Sequence, residues 1–164
     1  MFSITIATTL QYPLSRGSTH ISSQKPEAQP KIDPKILEHP FDNLLMIKAL
    51  KHARKIMSQS DFKDFILDEK FPGPTVKTDE DWFKSVRERV RTEYHPMGTG
   101  SMVSENLSGV VNPKLIIHGT KNMRIFDMSI IPIPIAAHQA FTVYLIAEKA
   151  SELIKNQYYK IHSK

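Results

Sequence analysis

The 164-residue sequence contains no cysteine, six glycines and no long apolar run. The absence of cysteine excludes disulfides, thiolate metal sites and cysteine nucleophiles, although it leaves the redox compartment open. A membrane-spanning helix needs about 20 predominantly apolar residues in succession, so we expect no transmembrane span. The sequence also lacks a GxGxxG loop, the glycine-rich segment that binds the diphosphate of a dinucleotide. Any chemistry therefore depends on side chains other than thiolates.

The positive charge of the chain is dispersed. A formal net charge of +5 would by itself favour an anionic partner, but phosphate binding needs a clustered positive face. The densest basic group, within residues 84–91, shares a predicted helix with five acidic residues. This mixture is typical of a solvated helix face, so we expect no nucleic-acid partner.

The N-terminal half begins with residues that alternate in the manner of β-strands. Residues 3–23, interrupted at 11–18, predict an antiparallel strand pair, with Ile4 and Ile6 on one face. No basic segment precedes the apolar residues, which argues against a secretory signal peptide. A chain that opens inside a strand is expected to be a fragment of a longer protein.

Two helices are predicted in the middle of the chain. Four prolines make residues 24–40 an extended connection, and apolar residues then recur at helical spacing over 41–57. After a Pro-Gly breaker at 71–74, Thr78 and Asp81 resemble a capping box that opens a helix through about Tyr94. The apolar face of this second helix is Trp82, Val86 and Val90.

The C-terminal third predicts a hairpin followed by a helix. Residues 115–118 and 123–127 resemble short strands joined by a turn at 119–122. The helix predicted over residues 141–154 is apolar nearly all round at first, so we expect it to begin buried.

Two histidines occupy positions suited to chemistry. His95 lies in the segment YHPMGTGSM (94–102), where Pro96 disfavours helix at His95 and Gly98 allows a close turn, and His138 precedes the last helix. Imidazole has an ordinary pKa of about 6.5 and accepts protons near neutrality. The two rings could share one proton-handling site for oxidising an alcohol, although a histidine beside an aromatic residue is more often structural. No carboxylate stands at metal-ligand spacing, so metal binding is not expected.

Several ordered blocks resemble the C-terminal region of the glucose-methanol-choline (GMC) oxidoreductases, in the form of the fungal aryl-alcohol oxidase-like and glucose oxidase-like enzymes. They are YHPMGT with SM (94–99, 101–102), GVVNPKL (109–115), MRIFDMSIIP (123–132) and AEKA (147–150). A further block, YPLSRG with HI (12–17, 20–21), resembles the segment that opens this region. The resemblance covers nearly the whole chain.

The resemblance implies an FAD-dependent oxidation of CH-OH groups to carbonyls. His95 is the base that takes the hydroxyl proton while hydride passes to the flavin, and His138 orients the hydroxyl. The residues implied to approach the flavin are Asp127, Met128, Gln139 and Ala140, the last two through backbone N–H groups at a helix start. Tyr94 is implied as a substrate contact, with helix-end packing as the alternative, and a turn-forming role is the alternative for Asp127.

The resemblance also implies the architecture. The fold class is α+β: an antiparallel sheet with helices on one face forms a substrate-binding domain portion (1–108). A hairpin and helix (109–157) return to complete an FAD domain, and 158–164 is a tail. The chain departs from the family pattern at Gly100, Asn112 and Ala136.

Several properties stay open at this point. The partners implied are a small alcohol and either oxygen or a quinone as electron acceptor, and a secreted location is implied for the whole family protein. The alternative to an enzyme part is a non-enzymatic remnant without flavin. The identity of the alcohol, the choice of oxidase or dehydrogenase and the oligomeric state do not follow from the sequence.

Overall fold

In a computed structural model of the protein, which describes residues 3–162, the chain divides into two compact units between Glu93 and Tyr94. The first unit contains β1 (Ser18–His20), β2 (Lys31–Asp33), α1 (Pro40–Met57), α2 (Ser60–Lys63) and α3 (Asp79–Arg89). The second contains two 3₁₀ turns, Glu105–Leu107 and Met128–Ile130, and the long helix α4 (Ala140–His162). The predicted α+β class is confirmed. The predicted domain division after residue 108 concerns a larger protein and stays a prediction.

The strand prediction for the N-terminal segment was wrong. Residues 3–17 form no strand. β1 overlaps the second of the two predicted strands, but it pairs antiparallel with β2, with Thr19 opposite Ile32. β2 lies inside the segment 24–40 that was predicted to be a connection. The N-terminal residues are held by side chains of α1, since backbone N–H groups of Leu14 and Ser15 donate to the Asp42 carboxylate.

The helix α1 confirms the periodicity over residues 41–57. It begins at Pro40, a position where the missing N–H costs nothing, and the His39 side chain caps it by accepting from the Phe41 N–H at 3.1 Å. Its buried residue Ile47 packs with Trp82 and Val86 of α3 to form the core of the first unit.

The helix α3 begins as predicted and ends early. The Thr78 hydroxyl accepts from the Asp81 N–H while the Asp81 carboxylate accepts from Thr78, which completes the capping box. The helix ends at Arg89, not near Tyr94, because Val90 is already extended with ψ of 136°. β-branched residues such as Val90 are weak helix formers.

One arginine fastens the loop after α2 to the core of the first unit. The Arg54 guanidinium lies 4.1 Å from the centroid of the Trp82 ring. It also donates to the Glu69 carboxylate at 3.0 Å and to the carbonyl oxygens of Gly73 and Val76. Since Arg54 and Glu69 are both partly buried, this contact is less screened than a surface ion pair.

The second unit has its own core, built from Val111, Leu115, Ile130 and Ala150. The predicted hairpin is reduced to single bridges, Ile116 with Arg124 and Val111 with Ile117. The Asn112 side chain accepts from the Lys114 and Ile116 N–H groups, and Leu115 has φ of +64°. Both features turn the backbone, so a continuous strand does not form.

The helix α4 is longer than predicted, and its start is exposed. Phe141 and Tyr144 are 73% and 75% exposed, so the expectation that the helix begins buried was wrong. The helix meets the core one to three turns later, through Ile146, Ala150 and Leu153. Among residues 3–162, no helix is both long enough and apolar enough to cross a membrane.

The most buried charge of the first unit is the Asp42 carboxylate, which is 1% exposed. It accepts hydrogen bonds from the Leu14 N–H at 2.8 Å, the Ser15 N–H at 2.7 Å and the Ser15 hydroxyl. Burial alone would raise the pKa of this carboxyl, but these bonds and the nearby His39 outweigh it and hold the pKa below its ordinary value of 3.8. Asp42 therefore stabilises the fold in its ionised form.

We expect Asp42→Asn to lower the free energy of unfolding by about 2 kcal/mol at neutral pH, because the charge-assisted hydrogen bonds are lost. A carboxyl whose pKa is lowered by folding stabilises at pH values above its unfolded pKa and stops doing so as the pH falls through its folded pKa. Urea denaturation should show a constant difference between wild type and variant above about pH 5, shrinking below about pH 4. The control is Asp64→Asn, at an exposed carboxylate. A difference that grew with acidification would contradict this role.

Candidate active site

The loop that carries His95 is held against the second 3₁₀ turn. The Gly100 N–H donates to the Ser129 carbonyl at 2.9 Å, and the Met102 N–H donates to the Ile130 carbonyl at 2.8 Å. Gly98, with φ of +89°, supplies a conformation that side chains rarely adopt. The loop thus runs beside the 3₁₀ turn that follows Asp127.

The two histidines singled out in the sequence lie side by side. Their ring centroids are 5.6 Å apart and their planes meet at 87°, an edge-to-face arrangement. Both side chains are exposed, so a small molecule can approach both. The catalytic roles of His95 and His138 stay predictions.

Tyr94, immediately before His95, has an unusual backbone. Its φ of +60° places a non-glycine residue in the left-handed region, which costs about 1 to 2 kcal/mol. Its ring is 82% exposed, so its position does not follow from burial in a core. Such strain is concentrated at functional sites, and here it fixes the direction in which the chain enters His95.

Gln139 contributes a contact that the sequence did not predict. Its side chain is only 7% exposed, and its Nε2 donates to the His95 carbonyl oxygen at 3.0 Å. Its own backbone carbonyl accepts from the Val143 N–H, in the first turn of α4. The resemblance had assigned only backbone N–H groups to Gln139 and to the exposed Ala140. Nothing in the local sequence indicated a side-chain bond that spans 44 residues.

Asp127 serves the local structure. One carboxylate oxygen accepts from the Ser129 N–H at 2.8 Å, which caps the 3₁₀ turn Met128–Ile130. This is the turn-forming role that was the alternative at the sequence level. Met128, the next residue, is buried, and a further role of either residue toward a cofactor stays a prediction.

An open depression of about 450 Å³ joins several of the predicted site residues. Its lining consists of Tyr94, Pro96, Thr99, Asp127, Met128, Ser129, Gln139 and Val143. Among the described residues that line the depression, His95, His138 and Ala140 do not occur. Each of the three is adjacent in sequence to a lining residue. The structure thus brings Tyr94, Asp127, Met128 and Gln139 to one surface.

The chemistry of this depression fits one side of a flavin ring. A flavin is a flat group with an apolar face and a polar edge, and the lining offers both characters through Val143 and Met128 on one hand and Thr99 and Gln139 on the other. The first N–H groups of a helix have no partner within the helix and favour negative charge, and α4 begins beside the lining residue Gln139. The ADP half has no comparable match, because the sequence lacks GxGxxG.

Across residues 3–162, no group of three or more His, Asp or Glu side chains is arranged to hold a metal ion. His118, the nearest histidine in sequence to the core of the second unit, lies 4.0 Å from the Glu105 carboxylate.

Comparison with known proteins gives the class of the chain. A family model described as GMC oxidoreductase matches residues 13–147. The chain belongs to the GMC oxidoreductase family.

Relatives of known name support this assignment. A GMC oxidoreductase family protein of Malassezia sympodialis is 41% identical over 152 residues, which are 93% of this chain and 25% of the relative. An alcohol dehydrogenase [acceptor] of Pseudomonas putida is 37% identical over 142 residues, or 87% of this chain and 26% of the relative. The chain thus spans about a quarter of the length of these relatives.

Solved structures agree in fold. An FAD-dependent oxidoreductase from Chaetomium thermophilum superposes with a TM-score of 0.85 at 27% identity, covering 90% of this chain and 26% of that one. A fungal aryl-alcohol oxidase superposes with a TM-score of 0.78 at 30% identity, covering 91% of this chain and 25% of that one.

We expect Gly98→Ala to disturb the geometry of the site. The substitution forces a side chain into a backbone with φ of +89° and sets the new methyl group 3.4 Å from the Ile131 carbonyl, which should cost about 1 to 2 kcal/mol. The matched control is Gly119→Ala, where φ is +77° and the added methyl meets open space. Both variants should lose stability in urea, but NMR shifts of the His95 and His138 rings should move only in Gly98→Ala. Unmoved ring signals would contradict this account.

Proposed function

We propose that this chain is the substrate-binding and catalytic-base part of an FAD-dependent oxidoreductase that converts alcohols to carbonyl compounds. The single observation that carries the proposal is the pair of exposed imidazoles at 5.6 Å. The family membership supports it. Two relatives, by their names, are an alcohol dehydrogenase and a pyranose dehydrogenase.

His95 is assigned the role of general base. An alcohol is a very weak acid, so its hydroxyl proton needs an acceptor as the C–H bond breaks, and a positioned imidazole contributes about 10²- to 10⁴-fold in rate. The hydroxyl proton passes to His95, the hydrogen on the carbinol carbon leaves with the C–H electron pair as hydride, and a C=O bond forms. His138 holds the hydroxyl oxygen and stabilises the negative charge that develops on it.

The flavin, when bound, supplies the acceptor for the two electrons. The residues that would hold its ring are Asp127, Met128, Gln139 and Ala140. The backbone N–H groups at the start of α4 favour negative charge by about 0.3 to 1 kcal/mol where exposed, and by more where buried. Tyr94 lines the same depression and is assigned to the substrate side, as a contact of the alcohol.

A second proposal is that the chain is a remnant that neither binds flavin nor catalyses. Two observations favour it: the sequence has no GxGxxG loop, and the apolar start of α4 is exposed.

We also propose that the division at residues 108 and 109 marks where the chain passes from a substrate-binding domain to an FAD domain in a longer protein. An electron acceptor, oxygen or a quinone, would then be admitted by parts beyond this chain.

We expect the purified 164-residue chain to carry no bound flavin. The depression offers groups suited to the ring alone, whereas the pyrophosphate of a dinucleotide is bound by a glycine-rich loop that the sequence lacks. Visible absorbance after gel filtration with excess FAD is the measurement, with FMN as a control for binding of the ring end. A stoichiometric yellow complex would contradict the expectation and would argue against the remnant proposal.

In a longer protein that joins this chain to a dinucleotide-binding segment, we expect His95→Ala to slow flavin reduction by alcohol about 10²- to 10⁴-fold, because the proton acceptor is gone. FAD content should be unchanged. Anaerobic stopped-flow bleaching of the flavin measures the rate, and the exposed His52→Ala on α1 is the control. Undiminished reduction in the His95→Ala protein would eliminate the assigned role.

A further inference from the structure

Gln139 is an uncharged polar side chain in an almost fully buried position. A buried amide is costly unless its hydrogen bonds are satisfied. The structure gives its Nε2 a specific partner, the His95 carbonyl oxygen at 3.0 Å. That partner belongs to the backbone of the candidate base, so the contact bears on its position.

The bond joins the two ends of the candidate site. Gln139 directly follows His138, and the Val143 N–H donates to the Gln139 carbonyl. The side chain therefore connects the backbone that carries His138 to the backbone that carries His95. Neither imidazole is buried, so packing does not fix the rings, and their separation depends on how their backbones are held.

The residues on either side of His95 restrict its backbone but do not determine how far it lies from α4. Tyr94 before it is locked in the left-handed region, and Pro96 after it restricts the backbone of His95 itself. These two residues fix the local shape of the segment. They do not fix the distance of the segment from α4, which a bond from the start of that helix can set.

We propose that Gln139 is a positioning residue, whose side-chain amide holds the His95 segment against the start of α4 and thereby sets the separation of the two imidazoles. Its importance for catalysis rests on the proposed function of that pair. A misplacement of about 1 Å in a reacting group can cost about 10²-fold in rate. The assignment extends beyond the backbone role that the family resemblance implies for Gln139.

The test uses the 164-residue chain and needs no flavin. Gln139→Met keeps the length of the side chain and removes the donor, and Gln139→Glu keeps the shape but offers, when ionised, only acceptors. The matched control is Gln157→Met, an exposed glutamine of the same helix that accepts from Arg124. The readouts are the NOE between the His95 and His138 rings, the carbonyl carbon shift of His95 and the urea stability of each protein.

We expect the intensity of the inter-ring NOE to fall severalfold in both Gln139 variants, and the His95 carbonyl signal to shift. In Gln157→Met both signals should stay as in wild type. A loss of stability without a change in these two signals would show a merely structural glutamine and overturn the proposal. Should the variants not fold, the wild-type chain decides. Its Gln139 side-chain amide protons must exchange with solvent markedly more slowly than those of Gln157, and equal exchange would overturn the proposal.

These readouts separate the inference from the proposed function. If the inter-ring NOE is lost in the Gln139 variants but the His95→Ala protein is still active, Gln139 positions the two imidazoles and the proposed function of the pair is wrong. If the His95→Ala protein is inactive but the Gln139 variants keep the inter-ring NOE, the proposed function holds and Gln139 is not its positioning residue.

Discussion

The second unit depends on the pairing of two irregular segments. The N–H groups of Gly100 and Met102 donate to carbonyl groups of the 3₁₀ turn after Asp127, and Ile130 of that turn packs in the core with Ala150 of α4. The loop of His95 is thereby attached, through few backbone bonds, to the core of the unit. Loops positioned in this way by a scaffold commonly carry function.

The sequence predicted those parts of the fold that are governed by local rules. The helix over 41–57 and the capping box at Thr78 followed from periodicity and from cap chemistry, which neighbours along the chain determine. The strands were harder, because the partner of a strand lies elsewhere in the chain and alternation also occurs in extended segments. Residues 3–17 alternate, yet they form no strand, and the N–H groups of Leu14 and Ser15 donate to the buried Asp42 across 28 and 27 residues.

The candidate site divides along the same line. The family resemblance singled out both His95 and His138, because each matches a separate position of the family pattern. It did not reveal the bond of the Gln139 side chain, because that bond depends on where separate segments meet. The capping bond of Asp127 spans two residues and corresponds to the turn-forming alternative that the sequence offered. The exposed start of α4 was missed for a related reason. An apolar helix face indicates that the helix can pack against another surface, but it does not indicate that this surface belongs to the same chain.

Trp82, the single tryptophan of the sequence, lies under the Arg54 guanidinium in the core of the first unit. Four of the five tyrosines, at positions 94, 144, 158 and 159, belong to the second unit. Indole emission is therefore an intrinsic signal for one unit alone, while phenol absorption mainly follows the other. The two halves of the chain can be observed separately in one sample, without a label.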